Sequence, residues 1–431
     1  MPNNTSVFEA DREYVFHSWS VQGDLKPLVI QSGSGCKLWD FDGKEYLDFS
    51  SQLVNTNIGH QHPKMVAAIK AQAEELLTIA PSIANRARNE AAKRILAVAP
   101  KGFNKVFFTN GGADANENAI RMARLYTGRD KVLSSYRSYH GNTGAAIVAT
   151  GDPRRVANEY SRGHVHFFTP YLYRSEFFAQ NETQECARAL AHLRSVIEFE
   201  GPQSIAAILL ESIPGTAGIM IPPEGYMQGV RQLCDEFGIM LIMDEVMAGF
   251  GRTGKWFALE HYQGVIPDLI TFAKGVNSGY VPVGGVIIAN AIANYFNDKM
   301  FPGGLTYSGH PLAMASIVAC INAMKEEGIV ENAAKMGQLI GKKLNQLKEK
   351  HHMIGEVRGV GVFWAMELVS DRTTHEKLPM ENMNAIKAAL LGKGLLPFIV
   401  DNRIHIVPPC IINAAEVEQG FAIIDEVLSA F

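Results

Sequence analysis

The sequence predicts an α/β protein, with a mainly parallel sheet in a large domain and a smaller α+β domain behind it. Three observations carry that expectation. Short, almost wholly apolar runs such as SIAAILLES (204–212) and IMLIMDE (239–245) alternate with helical stretches, the pattern of strands covered on both faces by crossover helices. After Pro311 the pattern changes to two helical stretches followed by further strands. The chain of 431 residues also exceeds the roughly 250–300 residues at which single hydrophobic cores stop growing.

Composition narrows the function classes. With 47% hydrophobic and 19% charged residues the chain can build a large core and is neither disordered nor fibrous. Forty basic against forty-four acidic residues leave a net charge of −4, so no broad positive field holds nucleic acid or an anionic membrane. Five scattered cysteines form no CxxC or Cys/His spacing, which predicts reduced thiols, no metal site and a cytoplasmic location. The first twenty residues lack the basic and apolar regions of an export signal, and no apolar run is long enough to span a membrane.

Taken in order, residues 1–60 read as irregular apart from a meander in GCKLWDFDGKEYLDFSS (35–51), where Asp42-Gly43 signals a two-residue hairpin loop. Helices are expected in MVAAIKAQAEELL (65–77) and PSIANRARNEAAKRILAVA (81–99), from apolar residues three and four apart. Strands and helices then alternate: KVFFTN (105–110), ENAIRMARLYTG (117–128, closed by a glycine), KVLSSY (131–136), SIAAILLES, the amphipathic YMQGVRQLCDEFG (226–238), IMLIMDE and DLITFAKG (268–275). The C-terminal part offers helices over 312–351 and strands in GEVRGVGVFWAMELV (355–369) and NRIHIVPP (402–409). The expected division is 1–64 as an N-terminal segment packed on the small domain, 65–308 as the large domain and 309–431 as the small one.

Four features could carry chemistry. Gly249-Phe250-Gly251-Arg252-Thr253-Gly254 matches a dinucleotide-binding pattern but follows a strand already ended by Asp244 and Glu245, which argues against that use. The turn Thr109-Asn110-Gly111-Gly112-Ala113-Asp114 joins a strand to a helix; it is either an anion site made of backbone N–H groups or an ordinary turn capped by Asp114. Asp244 ends a buried strand; its partner is a protonated heterocyclic nitrogen, a helix N-terminus or Arg252. Lys274 ends another strand, as a desolvated amine nucleophile or as a lysine reaching out to solvent. An anion-binding turn, a strand-end aspartate and a strand-end lysine together are the groups needed to hold a phosphorylated pyridine aldehyde.

In LWDFDGKEYLDF, IGHQHP, FFTNGGADANENAIRMAR, SYHGNT, LLES, IMDEVMAGFGRTG, DLITFAKGV and LTYSGHPLA, in that order along nearly the whole chain, the sequence resembles the class III aminotransferases. The resemblance implies the type I, aspartate-aminotransferase-like fold and pyridoxal 5'-phosphate as cofactor. It also implies that Lys274 carries the cofactor, that Asp244 pairs with its ring nitrogen, and that Tyr139 and Val246 cover the two ring faces. By the same comparison Glu211 supports the site, Gly111 and Gly112 hold the phosphate, Ala113 and His140 belong to the cofactor site, and Thr306 reaches the phosphate of a neighbouring subunit. A homodimer with shared sites, possibly a tetramer, follows from that last role.

Two departures from the family pattern bear on the substrate. Relatives that accept 2-oxoglutarate often carry a glutamate five residues after the position of Glu211, where this chain has Thr216, and an arginine where it has His405. Arg403 lies two residues earlier on the same expected strand face, as an acid-binding fork or a plain surface arginine. Trp19 is a candidate pocket wall, and Arg137 and Arg162 are further anion-binding candidates. The pattern as a whole resembles the branch that acts on ω-amino acids such as taurine or β-alanine, with 2-oxoglutarate or pyruvate as acceptor. The competing readings are an amine or β-alanine:pyruvate transaminase, an aminomutase on the same scaffold, and a cofactor-free binding or assembly protein.

Overall fold

The computed structural model describes residues 2–158 and 162–431. Its centre is a seven-stranded sheet in the spatial order Phe103–Thr109, Gly284–Ala289, Leu269–Phe272, Met240–Asp244, Ile205–Glu211, Lys131–Ser135, His164–Phe167. Six strands run the same way, and Gly284–Ala289 alone is antiparallel to both its neighbours. The strand Ile205–Glu211 is buried along its whole length, which is why its sequence carries no polar alternation. Each fully buried aliphatic side chain there, such as Ile208 or Leu209, contributes about 1.5–3 kcal/mol.

The parallel direction puts the C-terminal ends of Ile205–Glu211, Met240–Asp244 and Leu269–Phe272 along one edge. Helix Gly112–Thr127 packs against these strands from one face and ends at Gly128, whose φ of 67 gives the left-handed cap that stops it. Two strands of this sheet escape the sequence reading. Gly284–Ala289 opens with two glycines, which carry no strand signal, and His164–Phe167 is only four residues long.

The N-terminal part differs from expectation in two places. Residues Asn4–Tyr14 form a helix, held by a capping box between Asn3 and Ser6; it buries no residue, so it leaves no apolar periodicity to read. The strands Lys37–Trp39 and Glu45–Asp48 pair antiparallel as expected, but their connection is Asp40–Lys44 rather than a two-residue loop. The Asp40 carboxylate accepts N–H bonds from Asp42 and Lys44 at 3.0 and 2.9 Å and widens the turn. Glu45–Asp48 also pairs, in parallel, with Leu395–Leu396, so main-chain bonds tie this segment to the C-terminal part.

The C-terminal sheet has the order Ile354–Val360, Phe363–Asp371, Arg403–Ile406, Phe398–Val400. Helix Pro311–Glu326, assigned from sequence to this part, lies against the helices Pro63–Glu75 and Arg86–Leu96. Arg252 is completely buried between these regions. Its guanidinium donates to the carbonyls of Val362 and Pro408, to Asn57 Oδ1 at 2.6 Å and to Ser51 Oγ at 3.2 Å. It therefore occupies the GFGRTG turn as a structural cross-tie and makes no ion pair with Asp244, and no long helix follows the turn to receive a dinucleotide.

Candidate active site

A cavity of about 390 Å³ opens at the strand-end edge, and Gly111, Gly112, Ala113, Tyr139, His140, Glu211, Asp244, Val246 and Lys274 all line it. The turn after Phe103–Thr109 brings Gly111 to the start of helix Gly112–Thr127, and no side chain caps that helix. Asp114 is thus not its cap, and the first N–H groups of the helix face the cavity without an internal acceptor. Gly112 is required by close approach: a Cβ there would lie 2.9 Å from Val246 Cγ1.

Asp244 is buried at the end of its strand. Its Oδ2 accepts from Asn116 Nδ2 at 2.8 Å and lies 2.8 Å from His140 Nδ1, while Oδ1 accepts from Val246 N at 3.0 Å. Asn116 is fixed in turn by donating to His140 O at 2.8 Å and accepting from Thr271 Oγ1 at 2.7 Å. The neighbouring Glu245 points away from the cavity: it accepts the Ser212 hydroxyl and the N–H groups of Ala258 and Leu259. Burial pushes its carboxyl up to about 7 against those bonds. Glu211, also buried, accepts from Gly215 N at 2.8 Å and Tyr139 N at 3.3 Å, and burial raises its pKa as well.

Lys274 begins a short 3-10 turn directly after Leu269–Phe272, with φ of 42. A non-glycine residue in that region carries about 1–3 kcal/mol of strain that the surrounding packing must hold. Burial lowers the pKa of its ammonium, with Glu211 and Asp244 opposing the shift, so a neutral amine is available at lower pH than for an exposed lysine.

A second space of about 770 Å³ continues outward from Lys274 and is lined by Trp19, Arg137, Tyr139, Arg154, Thr216 and Arg403 among others. Trp19 is 65% exposed and meets the Tyr139 ring edge-on at 6.5 Å, so it walls this vestibule and not the inner cavity. Arg403 is mostly buried and faces the vestibule, whereas His405 is wholly buried behind it, edge-on to Phe398 at 5.1 Å. Burial and the neighbouring Arg403 hold the His405 pKa well below its usual value, which leaves a neutral ring. Arg137 lines the vestibule but is paired with Glu176, and Arg162 is exposed and lines neither space.

Thr306 is exposed on the turn before helix Pro311–Glu326 and lines neither space of its own chain. Sequence reasoning missed Arg154, whose guanidinium carbon lies 3.8 Å from the centre of the Tyr139 ring. Its only sequence signal is a Gly-Asp-Pro-Arg-Arg turn with no periodicity. Asn116 was missed as well; a polar residue on the small-residue face of a helix that packs on a sheet is the signal that could have found it.

The family model for aminotransferase class-III matches residues 19–428. The chain is 44% identical to a solved structure of taurine:2-oxoglutarate aminotransferase from Bifidobacterium kashiwanohense in complex with PLP and glutamate. That match has a TM-score of 0.96 and covers 100% of this chain and 98% of that one. It is 32% identical to a taurine–pyruvate aminotransferase of Rhodobacter capsulatus over 98% of this chain and 96% of the relative. It is also 34% identical to a leucine/methionine racemase of Thermococcus litoralis, over 91% of this chain and 89% of the relative.

Proposed function

The chain belongs to the class III aminotransferases, which work with pyridoxal 5'-phosphate, and on that premise we propose that it moves the amino group of an ω-amino acid of the taurine or β-alanine type to a 2-oxo acid. The observation that carries this substrate class is the vestibule: of the three guanidinium groups that line the space leading to Lys274, Arg137 is paired with Glu176 and Arg154 with Asp152, whereas Arg403 holds no closed ion pair among the described residues. Such groups suit sulfonates and carboxylates through paired, charge-assisted bonds. An acid at the far end of the donor and the distal carboxylate of 2-oxoglutarate can use Arg403 in alternate half-reactions. The names of the taurine-acting relatives agree with this reading.

The cavity fits the cofactor. An uncapped helix start supplies N–H groups for a phosphate, and His140 Nε2 is a buried nitrogen with no partner among the described residues. When bound, the cofactor supplies a carbonyl that condenses with amines and a ring that takes up the electrons of a breaking C–H bond. In this reading the residues take the following roles. Lys274 holds the cofactor and, as a neutral amine, moves the proton at the substrate carbon. Asp244, oriented by Asn116, His140 and the Val246 N–H, holds a proton on the ring nitrogen. Val246 and Tyr139 confine the ring, Gly111, Gly112 and Ala113 bind the phosphate, and Glu211 keeps the Tyr139 and Gly215 backbone in place.

The division into segments 1–64, 65–308 and 309–431 belongs to the same proposal, supported by the strand pairing of Leu395 with Leu47. So does a homodimer in which the exposed Thr306 completes a partner's phosphate site. Five free cysteines agree with a reducing, cytoplasmic setting. A matrix of donors (taurine, β-alanine, simple amines) against acceptors (2-oxoglutarate, pyruvate) tests the substrate class. Activity confined to uncharged amines would overturn it, and product formed without any 2-oxo acid would point to an aminomutase.

A further inference from the structure

Two of the three arginines that line the vestibule, Arg154 and Arg403, have an aspartate two residues before them, and the two pairs are built differently. The pair Asp152–Arg154 is closed: Arg154 Nε lies 3.0 Å from both carboxylate oxygens, and Nη2 adds a third contact. The pair Asp401–Arg403 is open. Arg403 Nη1 lies 3.6 Å from Asp401 Oδ2, beyond hydrogen-bond distance, while that same oxygen lies 2.5 Å from Lys377 Nζ. Arg403 Nε is buried with no hydrogen-bond partner among the described residues. Asp401 and Lys377 line the vestibule together with Arg403.

The backbone keeps this arrangement in place. Asp401 and Asn402 form the connection between Phe398–Val400 and Arg403–Ile406, whose register sets Val400 opposite Arg403. Asp401 has φ of 55, a conformation that Asp and Asn tolerate. Asn402 is wholly buried, donates to Leu368 O at 2.6 Å and accepts from Leu368 N at 2.8 Å, so the turn cannot drift. Behind Arg403, the carboxylates of Glu356 and Glu367 are occupied by Arg358. Gly218 leaves room for the arginine, since a Cβ there would lie 2.8 Å from Arg403 Cδ.

We propose that Asp401 and Lys377 form a charge gate on Arg403: Asp401 competes with the acid group of a substrate for the guanidinium, and Lys377 draws Asp401 aside so that the acid can bind. This rests on the reading of Arg403 as an acid-binding residue. Asp401 is then a specificity-determining residue that disfavours weakly held acids, and Lys377 acts through it without touching substrate. The three charged groups are partly exposed, so the competition is worth only a small factor, about 2- to 5-fold in affinity.

The holoenzyme and its variants are titrated calorimetrically with glutarate, a dicarboxylate that cannot transaminate, and KM for taurine is compared with that for propylamine. The substitution Asp401→Asn keeps a residue suited to the turn while removing the charge. It is expected to tighten glutarate about 2- to 5-fold and to lower the taurine-to-propylamine KM ratio by a similar factor. Lys377→Ala is expected to weaken glutarate by that factor, and the double variant is expected to match Asp401→Asn alone. A double variant weaker than Asp401→Asn would make Lys377 a direct anion binder and overturn the gate. Unchanged or weaker glutarate binding in Asp401→Asn, with weaker binding in Arg403→Ala, would overturn the gate while sparing the acid-binding reading. If Arg403→Ala leaves glutarate binding unchanged, both fall.

Discussion

Asn116 Nδ2 reaches Asp244 Oδ2 across 2.8 Å, linking the helix that opens at Gly112 to the carboxylate on the cavity wall. Because Thr271 Oγ1 donates to the other end of the same amide, the amide cannot turn over without losing both bonds. Asn116→Ala is expected to retain cofactor and lose about tenfold or more in the donor half-reaction, since hydrogen bonds to charged groups are worth about 1.5–3 kcal/mol. Asp244→Asn should lose most turnover, and Asp244→Glu less. Stopped-flow loss of the cofactor's visible band measures all three, and near-wild-type rates would remove the proposed role of Asp244.

Lys274→Ala is expected to abolish transamination and covalent cofactor attachment while leaving the fold intact. Borohydride reduction of the wild type followed by peptide mapping identifies the attachment point. A label on any other lysine would reassign the site.

Arg403→Ala is expected to raise KM for taurine and 2-oxoglutarate by about 10- to 150-fold, the value of one charge-assisted contact, and Arg154→Ala, whose guanidinium is closed on Asp152, by less. An uncharged amine should be little affected. Equal losses on all substrates would make the residue structural. Arg154 also covers Tyr139, so its variant should shift the cofactor's absorption more than the Arg403 variant does.

Glu245 gives a pH signature. Its carboxyl is raised from an ordinary 4.5 to about 7 in the folded chain, so the folded state holds the proton more tightly than the unfolded state. Its contribution to stability is full below about 4.5 and is lost as pH rises through about 7. The stability of the wild type relative to Glu245→Gln should therefore fall across that window, by at most about 3 kcal/mol. Denaturant titrations of both proteins from pH 4 to 8 check the slope, and a constant difference would mean that the three donors keep Glu245 ionised.

Thr306 is exposed in the single chain. If it completes a neighbour's site, the active species sediments as a dimer and Thr306→Ala weakens cofactor binding several-fold. A fully active monomer would refute the shared site.

The inner cavity was legible in the sequence because each of its parts sits at a boundary the sequence marks. Gly111 and Gly112 join a strand to the helix they open, Asp244 is the last residue of an apolar strand, and Lys274 comes two residues after another. The vestibule was less legible, since Arg154 stands on a short 3-10 turn and Asp401 on a hairpin connection, neither of which carries a periodicity to read. Arg403 was found through strand alternation, but alternation could not tell that His405, two residues on, lies buried behind Phe398. The helix Asn4–Tyr14 went unseen because it buries nothing and is held by its cap and by side-chain bonds such as Asn4 to Asp42 and Arg12 to Gln22 O.

Arg252 also constrains the order in which the chain can mature. Its acceptors come from residues 51 and 57 near the start and from 362 and 408 near the end. A chain still emerging from the ribosome has made the sheet and the strand ends long before Pro408 exists. Until then the guanidinium lacks part of its acceptor set and must stay hydrated, because burying an unmatched charge costs several kcal/mol. The central sheet can form early during synthesis, but the packing around the GFGRTG turn closes only when the last fifth of the chain has been released. Truncations that spare every residue of the inner cavity should therefore still yield a loosened protein.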